Sequence, residues 1–209
     1  MQMILKIKIL ILFFVLTGCV RHLAYYDIDL KEVERPAKAK ERYGEQKISK
    51  ISEGGIDRYY FEDEMVKIIW LVSPIQISFD LTNKTEHSIK IIWDEAAYLD
   101  EKGASHRVMH SGVKYIDRNN SQPPSIIIKK GSIDDIIIPT DKVYFVAGES
   151  GGWNEEQLFP PVPGNTLEEL NANAKTRIGN NVKVLLPLQI QDVINEYLFT
   201  FEVKNVVVR

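Results

Sequence analysis

A series of short β-rich runs, separated by turn residues and starting after Gly55, constrains the fold more than any other feature. In residues 75–83 apolar and polar residues alternate, so one side of a strand would be buried. Pro74 and the turn-rich segments 83–87 and 100–103 mark reversals between runs. The other predicted strands are 65–72, 88–95, 105–110, 125–130, 132–139, 142–148, 181–190 and 196–206. Such a pattern predicts an all-β protein, a single antiparallel β-sandwich.

The segment FDLTNKTEHSIKIIWDEAAYLDEKG, residues 79–103, resembles the central hairpin of small immunoglobulin-like (Ig-like) domains in bacterial envelope lipoproteins. In both, a strand ends in an asparagine-containing turn, a second strand carries a tryptophan, and an Asp-x-x-Gly reversal follows. The resemblance implies an Ig-like sandwich but no particular chemistry, because this architecture has many unrelated roles. We expect Trp70 and Trp93 to lie in the core, because both belong to apolar strands.

One short helix is expected between the last strands. Thr166 and Glu169 have capping-box spacing, and the helical pattern continues to Lys175. Because a helix of about ten residues is marginal alone, we expect Leu167, Leu170 and Ala174 to pack on the sheet.

Residues 1–18 have the pattern of a signal peptide. Lys6 and Lys8 precede an unbroken apolar run at 9–16. A helix of that length covers roughly 12 Å, whereas the hydrocarbon core of a bilayer is about 30 Å thick. The run is therefore too short to span a membrane.

Leu16, Thr17, Gly18 and Cys19 then resemble the lipobox of bacterial lipoproteins. This resemblance implies cleavage before Cys19, diacylation of its thiol, and an anchor in the cell membrane or outer membrane, facing away from the cytoplasm. Two or more acyl chains hold a protein at a bilayer better than one. In lipoproteins of many Gram-negative bacteria, an aspartate directly after the cysteine tends to retain the protein at the inner membrane. Here that position is Val20, so the resemblance favours the outer membrane if the source has two membranes. The alternative is a buried cysteine in an ordinary N-terminal helix.

A charged tether is predicted for residues 19–55, which leaves 56–209 as the sandwich domain. Eleven of the twenty residues at 31–50 are charged. Such a segment buries too little apolar surface to offset the entropy of ordering. The alternative is a surface helix packed on the domain.

The charge and the cysteine content argue against several classes of protein. The chain has 26 Lys and Arg against 29 Asp and Glu, so no basic excess is present to bind nucleic acid. Its single cysteine excludes an intramolecular disulfide framework and a four-thiolate zinc site. No cofactor is expected.

His106 and His110 are four residues apart. On a helix they could share a metal ion, whereas on a strand they would be about 13 Å apart. Without a third ligand at suitable spacing, we interpret them as two surface histidines and expect no metal.

Signs of catalysis are weak. The acidic pairs Asp94-Glu95, Asp134-Asp135 and Glu155-Glu156 are neighbours in sequence, so on strands their members would point to opposite faces. The chain has no G-x-S-x-G and no phosphate-binding loop. We therefore do not expect an enzyme.

The most unusual segment is the glycine- and proline-rich stretch 147–165, which is predicted to be a long loop. In one hypothesis Trp153 and Phe159 form an exposed contact surface for an envelope protein or a glycan. In the other, both aromatic residues cover the open end of the sandwich.

These features predict a lipid-anchored envelope lipoprotein with a non-catalytic binding or scaffolding role. The alternative is an enzyme or enzyme accessory with an unrecognised acidic or aromatic site. A carbohydrate-binding module would require coplanar exposed aromatic rings, for which Trp153, Trp93 and Tyr98 are the candidates.

Overall fold

The computed structural model describes residues 22–209 and is built almost entirely from antiparallel strands. Within that range the strands are β1 (Ala24–Glu34), β2 (Lys47–Glu53), β3 (Ile56–Glu62), β4 (Val66–Val72), β5 (Ile77–Asn83), β6 (Ile89–Ile91), β7 (Ala97–Leu99), β8 (Ser105–Met109), β9 (Ser125–Ile127), β10 (Ser132–Pro139), β11 (Val143–Val146), β12 (Gly152–Glu155), β13 (Asn181–Ile190) and β14 (Val193–Val208). The two α-helices are α1 (Ala39–Tyr43) and α2 (Leu167–Lys175). The predicted signal peptide and Cys19 lie outside the described residues.

The strands form two antiparallel layers joined at one corner. One layer has the order β2-β3-β4-β5-β10, and the other places β14 between β1 and β13, with β6 and β7 on the far side of β13. β8 connects the two layers. It pairs with β7 of the second layer and, over a short stretch in which Met109 is opposite Ile138, with β10 of the first layer. The result is an all-β sandwich-like fold with a nearly closed sheet, so the predicted fold class is confirmed.

Aromatic side chains fill the space between the layers. The Trp70 ring on β4 lies 4.7 Å from the Phe199 ring and 5.6 Å from the Phe201 ring, both on β14 of the opposite layer. Phe61 on β3 meets Phe199 edge-on at 5.4 Å. Trp70 and Trp93 are fully buried, as the sequence predicted.

The prediction of a charged tether is wrong for residues 24–53. β1 pairs along its length with β14, and its Ile28, Leu30 and Val33 are buried in the core. Its charged residues point outward and make ion pairs, such as Lys31 with Glu202. The charge therefore reflects the exposed side of an edge strand, not a segment without structure.

An ion cluster closes the gap between the two edge strands. Lys50 on β2 lies 3.2 Å from Asp27 and 3.0 Å from Asp29 of β1, and 2.9 Å from Asp57 of β3. Burial opposes the charge of Lys50, but hydrogen bonds to Asp57, Asp29 and Asp27 outweigh burial and raise its pKa. These contacts hold together two strands that share no backbone ladder.

A buried carboxylate fastens the connection from β1 to the other layer. The Asp63 side chain is fully buried and accepts hydrogen bonds from the backbone amides of Met65 (2.8 Å) and Val66 (3.0 Å). Its other oxygen lies 3.3 Å from the Arg35 guanidinium and accepts from the Tyr197 hydroxyl at 3.0 Å. All four contacts compensate for the desolvation of the charge.

The predicted helix is present as α2. The Thr166 hydroxyl accepts a hydrogen bond from the Glu169 amide at 3.1 Å, which caps the first turn. Leu170 and Ala174 are buried as expected. Leu167 is exposed, so the prediction that it packs on the sheet is wrong. The five-residue α1 lies in the segment assigned to the tether, for which a surface helix packed on the domain was the alternative, and its Ala39 is buried.

Candidate functional site

The segment that was predicted to be a long loop contains half of a β-hairpin. β11 and β12 form a separate two-stranded sheet in which Phe145 is opposite Trp153 and Tyr144 is opposite Asn154. At its base, Val143 is buried against Met109 and Ile138. We call this unit, residues 143–155, the aromatic hairpin.

The aromatic hairpin presents large apolar side chains to solvent. Phe145 is 59% exposed, and Val146, Tyr144 and Trp153 are 44%, 43% and 38% exposed. Phe145 and Trp153 share one face because they are direct cross-strand partners, and their ring centroids are 5.4 Å apart. Tyr144 is on the opposite face, so the hairpin offers apolar surface on both sides.

A polar frame holds Trp153 in place. The Arg118 guanidinium lies 5.1 Å from the centroid of the Trp153 ring, and the Tyr115 ring meets the indole edge-on at 5.8 Å. Arg118 donates to the carbonyl oxygens of Thr140 (3.1 Å) and Tyr115 (2.9 Å). These contacts restrict the orientation of the Trp153 ring, so a partner that bound there would cost this side chain little entropy.

Tyr115 is itself fixed to the hairpin. Its hydroxyl donates a hydrogen bond to the Glu155 carboxylate. This bond, together with burial, raises the pKa of Tyr115 to about 12. The phenol therefore stays protonated and keeps donating at any physiological pH.

Glycine is required in the turn of the aromatic hairpin. Gly148 has a φ of +130°, which L-residues rarely adopt. At Gly151, an added Cβ would lie 2.2 Å from the carbonyl oxygen of Val146. These two positions explain why the turn is glycine-rich.

Phe159 does not belong to the exposed surface. It is 3% exposed, and its ring lies 5.3 Å from that of Tyr26 on β1. The neighbouring Leu158 is also buried, and its carbonyl accepts from the Tyr98 hydroxyl at 3.0 Å. The contact hypothesis is therefore wrong for Phe159, which covers the core, whereas Trp153 remains available.

The sequence reasoning missed Tyr144 and Phe145, because it treated 142–148 only as a strand. The signal was present: Val143 to Val146 are four apolar residues in succession, with no polar residue on either face. Of the three aromatic residues named for stacking on a glycan, Trp93 and Tyr98 are fully buried. The rings beside Trp153 meet it at 66° and 69°, so this group forms no flat platform.

A second candidate site is a depression of about 370 Å³ on the outer face of the layer formed by β3, β4, β5 and β10. Ile69, Leu71 and Ile136 give it an apolar lining. Asp80 and Asp134 contribute carboxylates, and Arg58 contributes a cation. We call it the acidic pocket.

Asp80 and Asp134 are direct partners in the pairing of β5 with β10. Burial raises the pKa of Asp80, and its interaction with Asp134 raises it further. Asp134 and Asp135 point to opposite faces, as predicted, because Asp135 is buried. The carboxylates that converge come from different strands, and neighbours in sequence could not reveal this pair.

In each of the other two acidic pairs, one member binds a side chain from elsewhere in the chain. Asp94 lies in a 3-10 turn and binds Arg107 at 2.5 Å. Hydrogen bonds from Ser121, Gln122 and Arg107 lower its pKa. Glu155 accepts from Tyr115, as described above.

His106 and His110 each lie beside carboxylates, and the two histidines have different partners. His106 on β8 lies 2.5 Å from Asp141 and 3.4 Å from Asp100. The ring of His110 stacks on Trp93 at 4.3 Å, and its Nδ1 lies 3.3 Å from Asp135. Both side chains are mostly buried, 16% and 13% exposed, so their interpretation as surface histidines is wrong.

Residues 22–209 show neither a metal-binding cluster nor a membrane-spanning helix. In that part of the chain no three or more His, Cys, Asp or Glu side chains are arranged to hold a metal ion. No helix there is long and apolar enough to cross a bilayer.

Comparisons with known proteins give no family for this chain. No family model matches it, and no curated protein matches it. It is similar to one solved structure, described as the X-ray structure of Northeast Structural Genomics Consortium target SoR45, with 10% identity over 87% of this chain and 84% of that chain. The TM-score is 0.24, and a likeness at that level supports no statement about fold or function.

Proposed function

We propose that the protein is a lipid-anchored envelope protein that binds another envelope protein through the aromatic hairpin and catalyses no reaction. The anchor is supported by the sequence, in which Cys19 follows small residues and a short apolar run. The binding role is supported by one observation above all. A hairpin outside both main layers exposes Phe145, Tyr144 and Trp153.

A protein partner fits this surface better than a glycan does. Aromatic side chains and arginine are enriched where protein interfaces gain most of their affinity. Arg118 and Trp153 form such a combination. A flat sugar ring needs a parallel aromatic face, whereas the rings here meet at steep angles.

The anchor is tested in the native host. We expect the wild-type protein to partition into detergent and to yield an N-terminal peptide that starts at an acylated Cys19. Cys19→Ala should partition into the aqueous phase. Membrane association that persists in Cys19→Ala, together with an unprocessed Met1, would refute the anchor.

The binding role is tested by a photoreactive amino acid introduced singly at Phe145 or at Tyr144 in the native host. Ile194, which is 44% exposed in the turn region of β13 and β14, is the control position. We expect one discrete adduct from positions 145 and 144 and none from 194. If all three positions give the same adducts or none, the hairpin is not the binding surface.

The acidic pocket supports a second candidate function, a hydrolase or sugar-binding site. The specific observation is the carboxyl pair in which Asp80 has a raised pKa, as general acids often do. Turnover of nitrophenyl glycosides by the wild-type protein at mildly acidic pH, lost in Asp80→Asn, would favour it. Equal absence of turnover in both proteins would reject it for these substrates.

A further inference from the structure

Three apolar side chains form an exposed patch where the first and last strands meet. Leu23 is 48% exposed, Tyr25 is 53% exposed and Val207 is 37% exposed. Tyr25 and Val207 are direct cross-strand partners, and Leu23 is two residues from Tyr25, so all three share one face. We call this surface the strand-end patch.

The opposite face of the same strands is occupied. Tyr26 and Val206, which are also direct partners, pack against the main core. The outward direction of the strand-end patch is therefore fixed by the fold, and its residues cannot turn inward without breaking the pairing of β1 with β14.

Strand pairing among the described residues is already present very close to Cys19 in sequence. Leu23 and Arg209 exchange two backbone hydrogen bonds, of 2.8 and 2.9 Å, so ordered pairing already includes Leu23. Cys19 precedes Leu23 by four residues. Even fully extended, four residues span only about 14 Å.

This short distance limits how far the domain can stand from a membrane. The polar headgroup region on each side of a bilayer is roughly 5 to 8 Å thick. If the acyl chains on Cys19 are in the hydrocarbon region, the chain must cross the headgroup region, which takes about half of the 14 Å between Cys19 and Leu23. The strand ends must then lie at the lipid surface.

We propose that the strand-end patch rests on the lipid surface, so that the domain lies directly on the membrane and no spacer lifts it away. This inference rests on the proposed lipid anchor. Tyrosine is favoured at the headgroup level, and Leu23 and Val207 add apolar area. Cleavage before Cys19 removes Lys6 and Lys8, which leaves 24 Lys and Arg against 29 Asp and Glu, a formal net charge of −5. Because this charge does not favour anionic headgroups, apolar contact supplies the binding energy.

The test uses the full-length, natively lipidated protein in phosphatidylcholine vesicles that contain a headgroup-spin-labelled lipid. A fluorescent label is attached to Val207→Cys or to the control Val193→Cys. Both positions are exposed valines of β14, at 37% and 47%. They are at opposite ends of this strand, roughly 45 Å apart at about 3.3 Å per residue.

We expect the spin label to quench fluorescence several-fold more strongly at position 207 than at position 193. Both variants should keep the wild-type melting temperature, because neither side chain is in the core. Equal quenching at the two positions in protein that still floats with the vesicles would overturn this inference and leave the anchor intact. Failure to float would overturn both proposals. Contact between labels at position 207 of two molecules, without quenching by lipid, would show that a second copy covers the patch and would also overturn the inference.

Discussion

Asp80 and Asp134 are directly opposite each other on β5 and β10, on the outer face of the sheet. Two carboxylates in this arrangement repel each other when both are ionised. Burial and Asp134 together raise the pKa of Asp80 above its ordinary value of 3.8. Thr82 and Lys67 lower it, but less.

From this pair we expect Asp134→Asn to stabilise the protein at pH 7 by about 0.2 to 1 kcal/mol, the range for cross-strand pairs. Because the folded state binds a proton more tightly than the unfolded state, the wild-type protein should lose stability as pH rises through the raised pKa of Asp80. The variant should show a flatter dependence. Urea unfolding at several pH values measures both effects. Asp192→Asn, in an exposed turn, serves as a control with no expected change, and destabilisation by Asp134→Asn at pH 7 would contradict the account.

We expect a larger loss of stability when the buried Asp63 carboxylate is removed. Asp63→Ala leaves the Tyr197 hydroxyl and two backbone amides without this acceptor and removes the carboxylate that is paired with Arg35. Removing one partner of a buried ion pair typically costs about 3 to 5 kcal/mol. Denaturant unfolding should show a loss of this size. In Glu45→Gln, which removes an exposed pair with Lys40, we expect no measurable change. Similar stability of the two variants would mean that Asp63 is not needed to hold the connection after β1.

Lys50→Met removes the cation that joins β1, β2 and β3. We expect a loss of about 1 kcal/mol or less at low salt, since these side chains are partly exposed, and a smaller loss at high salt. Hydrogen bonds from Ser52 and Lys50 lower the pKa of Asp57 below its ordinary value of 3.8. The stabilisation that Asp57 provides in this cluster is therefore fully present above pH 3.8 and is lost as the pH falls through the lowered pKa. Lys47→Met on the same strand is the control. A loss that does not depend on salt would point to packing by the lysine stem instead.

The two leucines of α2 should differ sharply. Leu170 is buried, and Leu170→Ala is expected to lower the free energy of unfolding by about 2 kcal/mol or more. Leu167 is 46% exposed, and Leu167→Ala should change it by no more than about 0.5 kcal/mol. Thermal unfolding of the two variants compares them directly. An equal effect at both positions would contradict the orientation of the helix.

Local signals were sufficient for much of the fold. Alternation in residues 75–83 predicted β5 and its buried face, and the spacing of Thr166 and Glu169 predicted α2. The buried tryptophans followed from their apolar neighbours. Each of these features depends on residues close in sequence, and for that reason a single chain reveals them.

Features that depend on distant partners were not predictable in this way. β1 looked like a charged tether because its ordering comes from β14, at the other end of the chain. The Asp80 and Asp134 pair depends on the register of two strands. Phe159 and Trp153 lie in the same glycine- and proline-rich segment. Phe159 is buried beside Tyr26, whereas Trp153 is exposed to solvent. Only tertiary contacts separate them.

The position of β14 also governs the order of assembly. This last strand lies between β1 and β13, so Ala24 finds its partner only when Val208 is available. Contacts that join the two ends of a chain give a high contact order and slow folding, in the range of milliseconds to seconds. Until β14 has been synthesised, β1 has no partner and this layer cannot be completed, so the folding of this layer must wait for that strand.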